Sequence, residues 1–271
     1  MNHYVLDAYG AKNTNDLFDI RYINQALNLI ALDLNLKPIA PAFLLPYDHG
    51  VVPVDNGVSS YLLLKGGHIT IHTFPLRSCY FVDVLMPQSC DVKLINQLFQ
   101  KHFPFEPKSS LSLNESRKEL SFKIQSFQPS EVFGPHVLGA FQLSSLTMET
   151  LSSLLESLIA DIQMTPITRA QVMLDQRLSP TYLTGFIMIA ESHISVHYHL
   201  ASKTAYFDIF SCKMFDYQAT QKLVEKVLGK AQSWKVIVRG EKHSLSSTRS
   251  KTPFPVSGKT KKALNRWKEA S

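Results

Sequence analysis

Ala190-Glu191-Ser192-His193-Ile194-Ser195-Val196-His197 has an altered copy 125 residues earlier, Lys65-Gly66-Gly67-His68-Ile69-Thr70-Ile71-His72. The same shift superimposes Asp83 on Asp208, within Tyr80-Phe81-Val82-Asp83-Val84-Leu85 and Tyr206-Phe207-Asp208-Ile209-Phe210. So long a period reads as two large related units and excludes an array of short solenoid repeats. One copy keeps Glu-Ser where the other has Gly-Gly, so the two units are expected to divide the chemistry unequally.

Working outward, each half begins with a His-led apolar stretch, His3-Tyr4-Val5-Leu6 and His136-Val137-Leu138-Gly139. A helical period follows: Leu17, Ile20, Ile23, Leu27, Ile30 and Leu34 in one half, Leu151, Leu154, Leu155, Leu158 and Ile162 in the other. Strands are expected at 59–65, 68–74 and 80–86, and again at 183–190, 193–199 and 205–211. A second helix (91–102 and 217–229) and a closing strand (120–126 and 234–239) complete a β-α-β-β-β-α-β unit. Hairpin-scale connections favour antiparallel sheets with helices on one face, and hence an α+β fold. Two such units would pack sheet to sheet as a four-layer α/β/β/α sandwich. The boundaries read as 1–128 for the first repeat, 136–240 for the second, a linker near Gln128–Pro135, and a tail at 241–271.

With 271 residues, 45% of them apolar, the chain can bury a substantial core. No apolar run approaches the roughly 18–20 residues of a membrane span. The start, Met1-Asn2-His3-Tyr4, lacks the basic and apolar regions of a secretion signal. Three cysteines, Cys79, Cys90 and Cys212, match no zinc spacing and read as reduced thiols of a cytoplasmic protein. The tail carries eight Lys/Arg against Glu241 and Glu269, which is the whole net charge of +6. The preceding body is therefore neutral, and nucleic acid is not an expected partner.

Strand side chains alternate faces, so His193, His197 and His199 share one face, as do His68 and His72. Imidazoles at this spacing have the residue type of a metal site, but no acidic or cysteine ligand stands at useful spacing, and no metal is expected. Ser192 has the opposite parity to His197, and Gly-x-Ser-x-Gly is absent, which leaves a serine-hydrolase triad unsupported.

The run Glu191-Ser192-His193-Ile194-Ser195-Val196-His197 resembles the self-processing site of the bacterial and archaeal S-adenosylmethionine decarboxylases. Members of that family also carry a Gly-Val-Ser-Gly turn before the run, His-Thr-Trp-Pro-Glu at its end, and a catalytic cysteine twenty residues after the serine. Here Gly57-Val58-Ser59-Ser60 and His72-Thr73-Phe74-Pro75 stand in the first half, and Ser211-Cys212 in the second. The resemblance spans about residues 1–240 and implies that Ser192 cuts its own chain after Glu191. The products are chains 1–191 and 192–271, the second blocked by a pyruvoyl group derived from Ser192. That ketone forms a Schiff base with the substrate amine and acts as electron sink, and Cys212 returns the proton after carbon dioxide leaves.

The resemblance also implies that help comes from the other repeat. Ser59 holds the attacked carbonyl and His72 abstracts the proton of β-elimination, with His197 as the alternate processing histidine. Gly67 and Pro87 stand at the pyruvoyl and cysteine positions of the first half, and Thr184 and His197 at the helper positions of the second. One complete site and one empty pseudo-site are expected. The implied substrate is S-adenosylmethionine, whose decarboxylated form donates aminopropyl groups to spermidine. Two positions depart from the family: Pro53 replaces an adenine-stacking Phe, and Leu76 replaces a ribose-binding Glu. Phe74, Tyr61 or Phe43 could compensate. A pyruvoyl decarboxylase of ornithine or arginine, and an inactive regulatory paralogue, are the rival readings.

Overall fold

The computed structural model describes residues 1–47, 53–89, 91–117, 122–124, 134–176, 180–190, 192–212 and 214–240. The 241–271 tail, Cys90, Glu191 and most of the expected linker lie outside the described residues. Six strands form an antiparallel sheet in the order β2 (Phe43–Tyr47), β3 (Gly57–Leu64), β4 (Gly67–Phe74), β5 (Cys79–Met86), β1 (Asn2–Tyr9), β6 (Leu111–Ser116). The second sheet runs β9 (Gln171–Asp175), β10 (Tyr182–Ile189), β11 (Ser192–His199), β12 (Thr204–Ser211), β8 (Gly134–Gln142), β13 (Ala231–Arg239), β7 (Phe122–Ile124). All its pairings are antiparallel except β7 on β13. From β2 to β6 and from β9 to β13 the two orders match strand for strand, as a duplication requires, and β7 is an addition to the second sheet.

Four helices, α1 (Ile20–Asp33), α2 (Val92–His102), α3 (Met148–Asp161) and α4 (Tyr217–Leu228), start where a side chain caps free backbone N–H groups. Asp19, for example, accepts from the Arg21 and Tyr22 amides, so α1 begins at Ile20 and Leu17 packs from the preceding turn. Ile23, Leu27 and Ile30 of α1 and Ile95 and Phe99 of α2 cover the outer face of the first sheet, against Leu62, Ile69, Ile71 and Val82. Leu151, Leu155 and Leu158 of α3 and Val224 and Leu228 of α4 do the same for the second, against Val196, Phe207 and Trp234. Among the described residues no helix is long and apolar enough to cross a membrane.

The inner faces meet each other. Tyr61 stacks on its repeat counterpart Phe186, with ring centroids 4.2 Å apart and planes 6° from parallel, beside Leu63 and Met188. Val5, Leu138 and Ile237 close another part of the interface, and Tyr9, Phe74, Cys79, Phe81 and Phe210 a third. Polar residues fill the space between these patches.

Two sequence expectations change. Each sheet has an extra edge strand, β2 and β9, too short at five residues to stand out by periodicity. The first repeat closes with β6 on β1, whereas Phe122–Ile124, the described part of the expected 120–126 strand, joins the other sheet. Exposed Leu111 and half-exposed Leu113 give β6 the weak hydrophobic signal of an edge.

Candidate active site

The β3–β4 hairpin sets Ser59 opposite His72, and His72 Nδ1 lies 2.9 Å from Ser59 Oγ. The other ring nitrogen, Nε2, crosses the interface and sits 2.8 Å from Ser192 Oγ on β11. Ser192 opens its strand with φ +150°, a backbone state that L-residues rarely adopt and that costs on the order of 1–3 kcal/mol. Ser211 pairs opposite Ser192, so half-buried Cys212, one residue further, emerges beside the serine's strand end. In the first repeat the equivalent position is Gly67. A Cβ there would stand 2.0 Å from the Leu85 carbonyl oxygen, so the backbone itself occupies the space a serine side chain needs.

Behind His72 the network continues. Its Nε2 is also 3.0 Å from His193 Nδ1, and His193 Nε2 lies 3.2 Å from Asp208 Oδ2. Ser195 donates to the other oxygen of Asp208. The pseudo-symmetric half repeats part of this pattern: His197 Nδ1 is 3.0 Å from Thr184 Oγ1, its Nε2 is 2.9 Å from His68 Nδ1, and Thr70 donates to Asp83 over 3.0 Å. Both ring nitrogens of His197 are thus committed within its own half and to His68, whereas Ser192 has His72.

Two buried arginines tie the sheets together. Arg117 donates to the carbonyls of Gly139 and Phe207, and Arg239 to those of Leu6 and Val82, which are equivalent positions in the two repeats. Arg239 additionally donates to Asp7 at 2.6 Å and to Asp83 at 2.5 Å. Asp7 has Ala140 as its counterpart, so this carboxylate pairing belongs to one side only.

Three groups, His3/Asp83/His136, His68/His193/Asp208 and His72/Asp83/His193, hold ligand-type atoms within 4.8 Å of one another. Hydrogen bonding assigns these nitrogens to other work. Arg117 donates to His3 Nδ1 at 3.0 Å and Arg239 to His136 Nδ1 at 3.4 Å. A neutral ring that accepts on Nδ1 carries its proton on Nε2. The Nε2 atoms of His3 and His136 lie 3.7 Å from Asp83 and Asp208, beyond hydrogen-bond distance.

Burial decides the charge states. It is the first cause that lowers the pKa of His3, His68 and His72, and it takes His136 to about 4 and His197 to about 3. His72 is therefore neutral near pH 7. Burial opposes ionisation of Asp83 and Asp208 too. Arg239 first, then His136, nevertheless holds Asp83 well below the carboxylate range, and His68, His136 and His193 do so for Asp208. Arg117, buried without an equivalent carboxylate pair, falls to about 10.

Other expected residues are placed as follows. Phe74 packs in the Tyr9–Cys79–Phe81–Phe210 cluster next to the site, since Phe210 also lies 5.9 Å from His72. Leu76 is half-buried on the turn Pro75–Arg77, and Pro53 opens the turn Pro53–Asp55. An Arg77–Asp55 ion pair joins those two turns. Tyr61, a candidate to stack a nucleobase, is instead fully buried against Phe186. Sequence reasoning gave no role to Arg117, Arg239, Asp208 or His193. The Asp83/Asp208 repeat was the available signal; the arginines, Arg239 at the end of β13 and Arg117 just past β6, left none.

A family model for S-adenosylmethionine decarboxylase matches residues 2–114 and 145–240. S-adenosylmethionine decarboxylase proenzymes from the Hall and Okra strains of Clostridium botulinum are each 33% identical over 88 residues, 32% of this chain and 69% of theirs. The crystal structure of the adenosylmethionine decarboxylase from Aquifex aeolicus VF5 aligns with TM-score 0.35 and 19% identity, over 42% of this chain and 87% of that one. With both halves matched, the chain belongs to the S-adenosylmethionine decarboxylase family, as a tandem duplication.

Proposed function

We propose that this protein is a proenzyme that cuts itself before Ser192 and then works as a pyruvoyl-dependent decarboxylase of S-adenosylmethionine. The observation that carries this reading is the 2.8 Å contact between Ser192 Oγ and the neutral His72 Nε2 supplied by the other repeat. In the first step Ser192 Oγ loses its proton and bonds to the carbonyl carbon of residue 191; the C–N bond breaks and the amine takes up a proton, leaving an ester. Ser59, 2.9 Å from His72 Nδ1, orients the imidazole. In the second step a base removes the Ser192 Cα proton, the Cβ–O bond breaks, and the carboxylate of residue 191 departs. Water then hydrolyses the resulting enamine, after tautomerisation to the imine, to a ketone and ammonia.

The pyruvoyl group supplies an electron sink for loss of carbon dioxide. The chain's own residues fit it: a buried hydroxyl at a strained strand start, a base within hydrogen-bond reach, and Cys212 one residue past the partner of Ser192 to return a proton. The product is the aminopropyl donor for spermidine. A free small-molecule substrate and reduced thiols fit a cytoplasmic enzyme.

A second reading is favoured by the substrate side. Pro53 and Leu76 lack the ring and carboxylate expected for a nucleoside, and the Arg77–Asp55 pair stands between their turns. Lost stacking and one charged hydrogen bond weaken nucleoside binding by roughly 2–4 kcal/mol. A smaller amino acid such as ornithine or arginine needs neither. Intact mass should show chains 1–191 and 192–271, the latter with a pyruvoyl terminus, and carbon dioxide release should be fastest with S-adenosylmethionine. Faster release from ornithine or arginine would establish the second reading. A chain that stays whole overturns both and leaves a regulatory paralogue.

A further inference from the structure

We propose, resting on the self-cleavage reading above, that Asp208 and His193 form a proton relay behind His72: Asp208 fixes the His193 tautomer, and His193 Nδ1 receives the proton passed on from Ser192 through His72.

The hydrogen bonds allow one arrangement of protons in the resting site. An ionised Asp208 accepts, so His193 Nε2, 3.2 Å away, carries a proton. In the neutral ring His193 Nδ1 then presents a lone pair to His72 Nε2 at 3.0 Å. His72 keeps its proton on Nε2 and accepts from Ser59 on Nδ1. A His72 that already bears a proton on the nitrogen facing Ser192 cannot act as base unless that proton has somewhere to go. His193 Nδ1 is that place. The Nε2 proton moves first to His193 Nδ1, which frees the in-plane lone pair of His72 Nε2; that lone pair takes the proton of Ser192 Oγ as the oxygen bonds to the carbonyl carbon. His193 becomes an imidazolium against Asp208, and the reverse transfer protonates the departing amine. No electrons are gained or lost.

The duplication supplies a comparison within the molecule. His68 is the repeat counterpart of His193 and faces His197 at 2.9 Å, as His193 faces His72. Yet His68 Nε2 is buried without a hydrogen-bond partner among the described residues, and Asp208 is 4.0 Å away. Asp83, which should have backed His68 as Asp208 backs His193, is held instead by Arg239. Arg117, the counterpart of Arg239, is spent on Gly139, Phe207 and His3 and leaves Asp208 to His193. The backed imidazole pair therefore stands only on the side that keeps a serine. The groups facing His193 are His72 and His68 from β4, Tyr61 from β3, Asp83 from β5, His136 from β8, Asp208 from β12 and Arg239 close by on β13.

The test follows chain cleavage with time after cell-free synthesis of the full chain, from pH 5 to pH 9, with thermal melts of each product. Asp208→Asn should slow cleavage about 10²–10⁴-fold, from one acid–base contribution to the loss of an imidazole's carboxylate partner, and move the acidic limb of the rate–pH profile to lower pH. Asp208→Glu should recover part of the rate. Thr184→Val, an equally buried change on the side without a serine, should stay within about 3-fold of wild type, well under a single acid–base contribution. Wild-type rate and profile in Asp208→Asn overturn the relay. So does equal slowing in Thr184→Val at an equal loss of melting temperature, which assigns the effect to packing. Should Asp208→Asn fail to fold, His193→Asn read against Thr184→Val makes the same discrimination. A wild-type chain that never cuts removes the self-cleavage reading itself, which is a separate outcome.

Discussion

At the residue scale, the decisive feature is which histidine touches Ser192. His72 and His197 occupy equivalent places in the two repeats, and both lie beside a hydroxyl, Ser59 or Thr184. Their surroundings differ in one respect: Ser192 stands next to His72, whereas backbone fills the matching space beside His197 because Gly67 is there. His72→Ala should therefore slow cleavage by about 10²–10⁴-fold, the range for loss of a positioned base, while His197→Ala slows it less than about 10-fold. Gel densitometry of the two fragments against time checks both, and the opposite ranking would reverse the assignment between repeats. The 125-residue repeat and strand parity made this much readable from sequence: parity alone separated Ser192 from His197. The contribution of His193 was not readable, because a strand histidine looks alike whether it packs, caps or relays. Only the position of Asp208 relative to Asp83 distinguishes these roles.

At the scale of the element, alternation along β4 and β11 places one apolar row against the helices and one polar row against the other sheet. A strand start with a positive φ at Ser192 adds strain at the proposed cleavage point. The corresponding start of β4 is closed by contact between Gly67 and β5. Gly67→Ser should consequently fail to create a second cleavage site and should destabilise the protein by roughly 1–3 kcal/mol through overpacking. Mass spectrometry and a thermal melt would show this; a new fragment ending at residue 66 would contradict it. The helices and inner strands were legible because their apolar periods are long. β2, β9 and β6 were not, since an edge strand needs only one buried face and short pairing, which leaves little pattern to read.

At the scale of the whole molecule, the sandwich buries a polar layer at its centre, and that layer sets its acid sensitivity. His3, His68, His72, His136 and His197 are held neutral, burial being the first cause in each. Their folded pKa values lie below the unfolded value of about 6.5, so the unfolded chain binds more protons as pH falls. Stability is thus fully present above about pH 7 and is lost downward through the folded values, about 4 for His136 and about 3 for His197. Each such histidine costs about 1.4 kcal/mol per pH unit once the unfolded form is protonated. Asp83 and Asp208, held below their ordinary range, add a further loss under about pH 4. Melting temperature should fall steeply between pH 6.5 and pH 4.5 in this window. A melting temperature unchanged across it would mean that the centre takes up protons without cost.

The sequence by itself determined the duplication, the alternation that turns one face of each sheet inward, and the unequal copies at Ser192 and Gly67. These are local properties, carried by residue type and spacing. Tertiary structure decided what meets across the interface: Ser192 with His72, Arg239 with both Asp7 and Asp83, and Asp208 with His193. Each of those contacts joins residues more than a hundred positions apart or selects among equivalent partners, except Asp208 with His193. That last pair is local, yet it depends on a distant arginine taking the other carboxylate. Periodicity fixes a side chain's face; only packing fixes which charge it finds there.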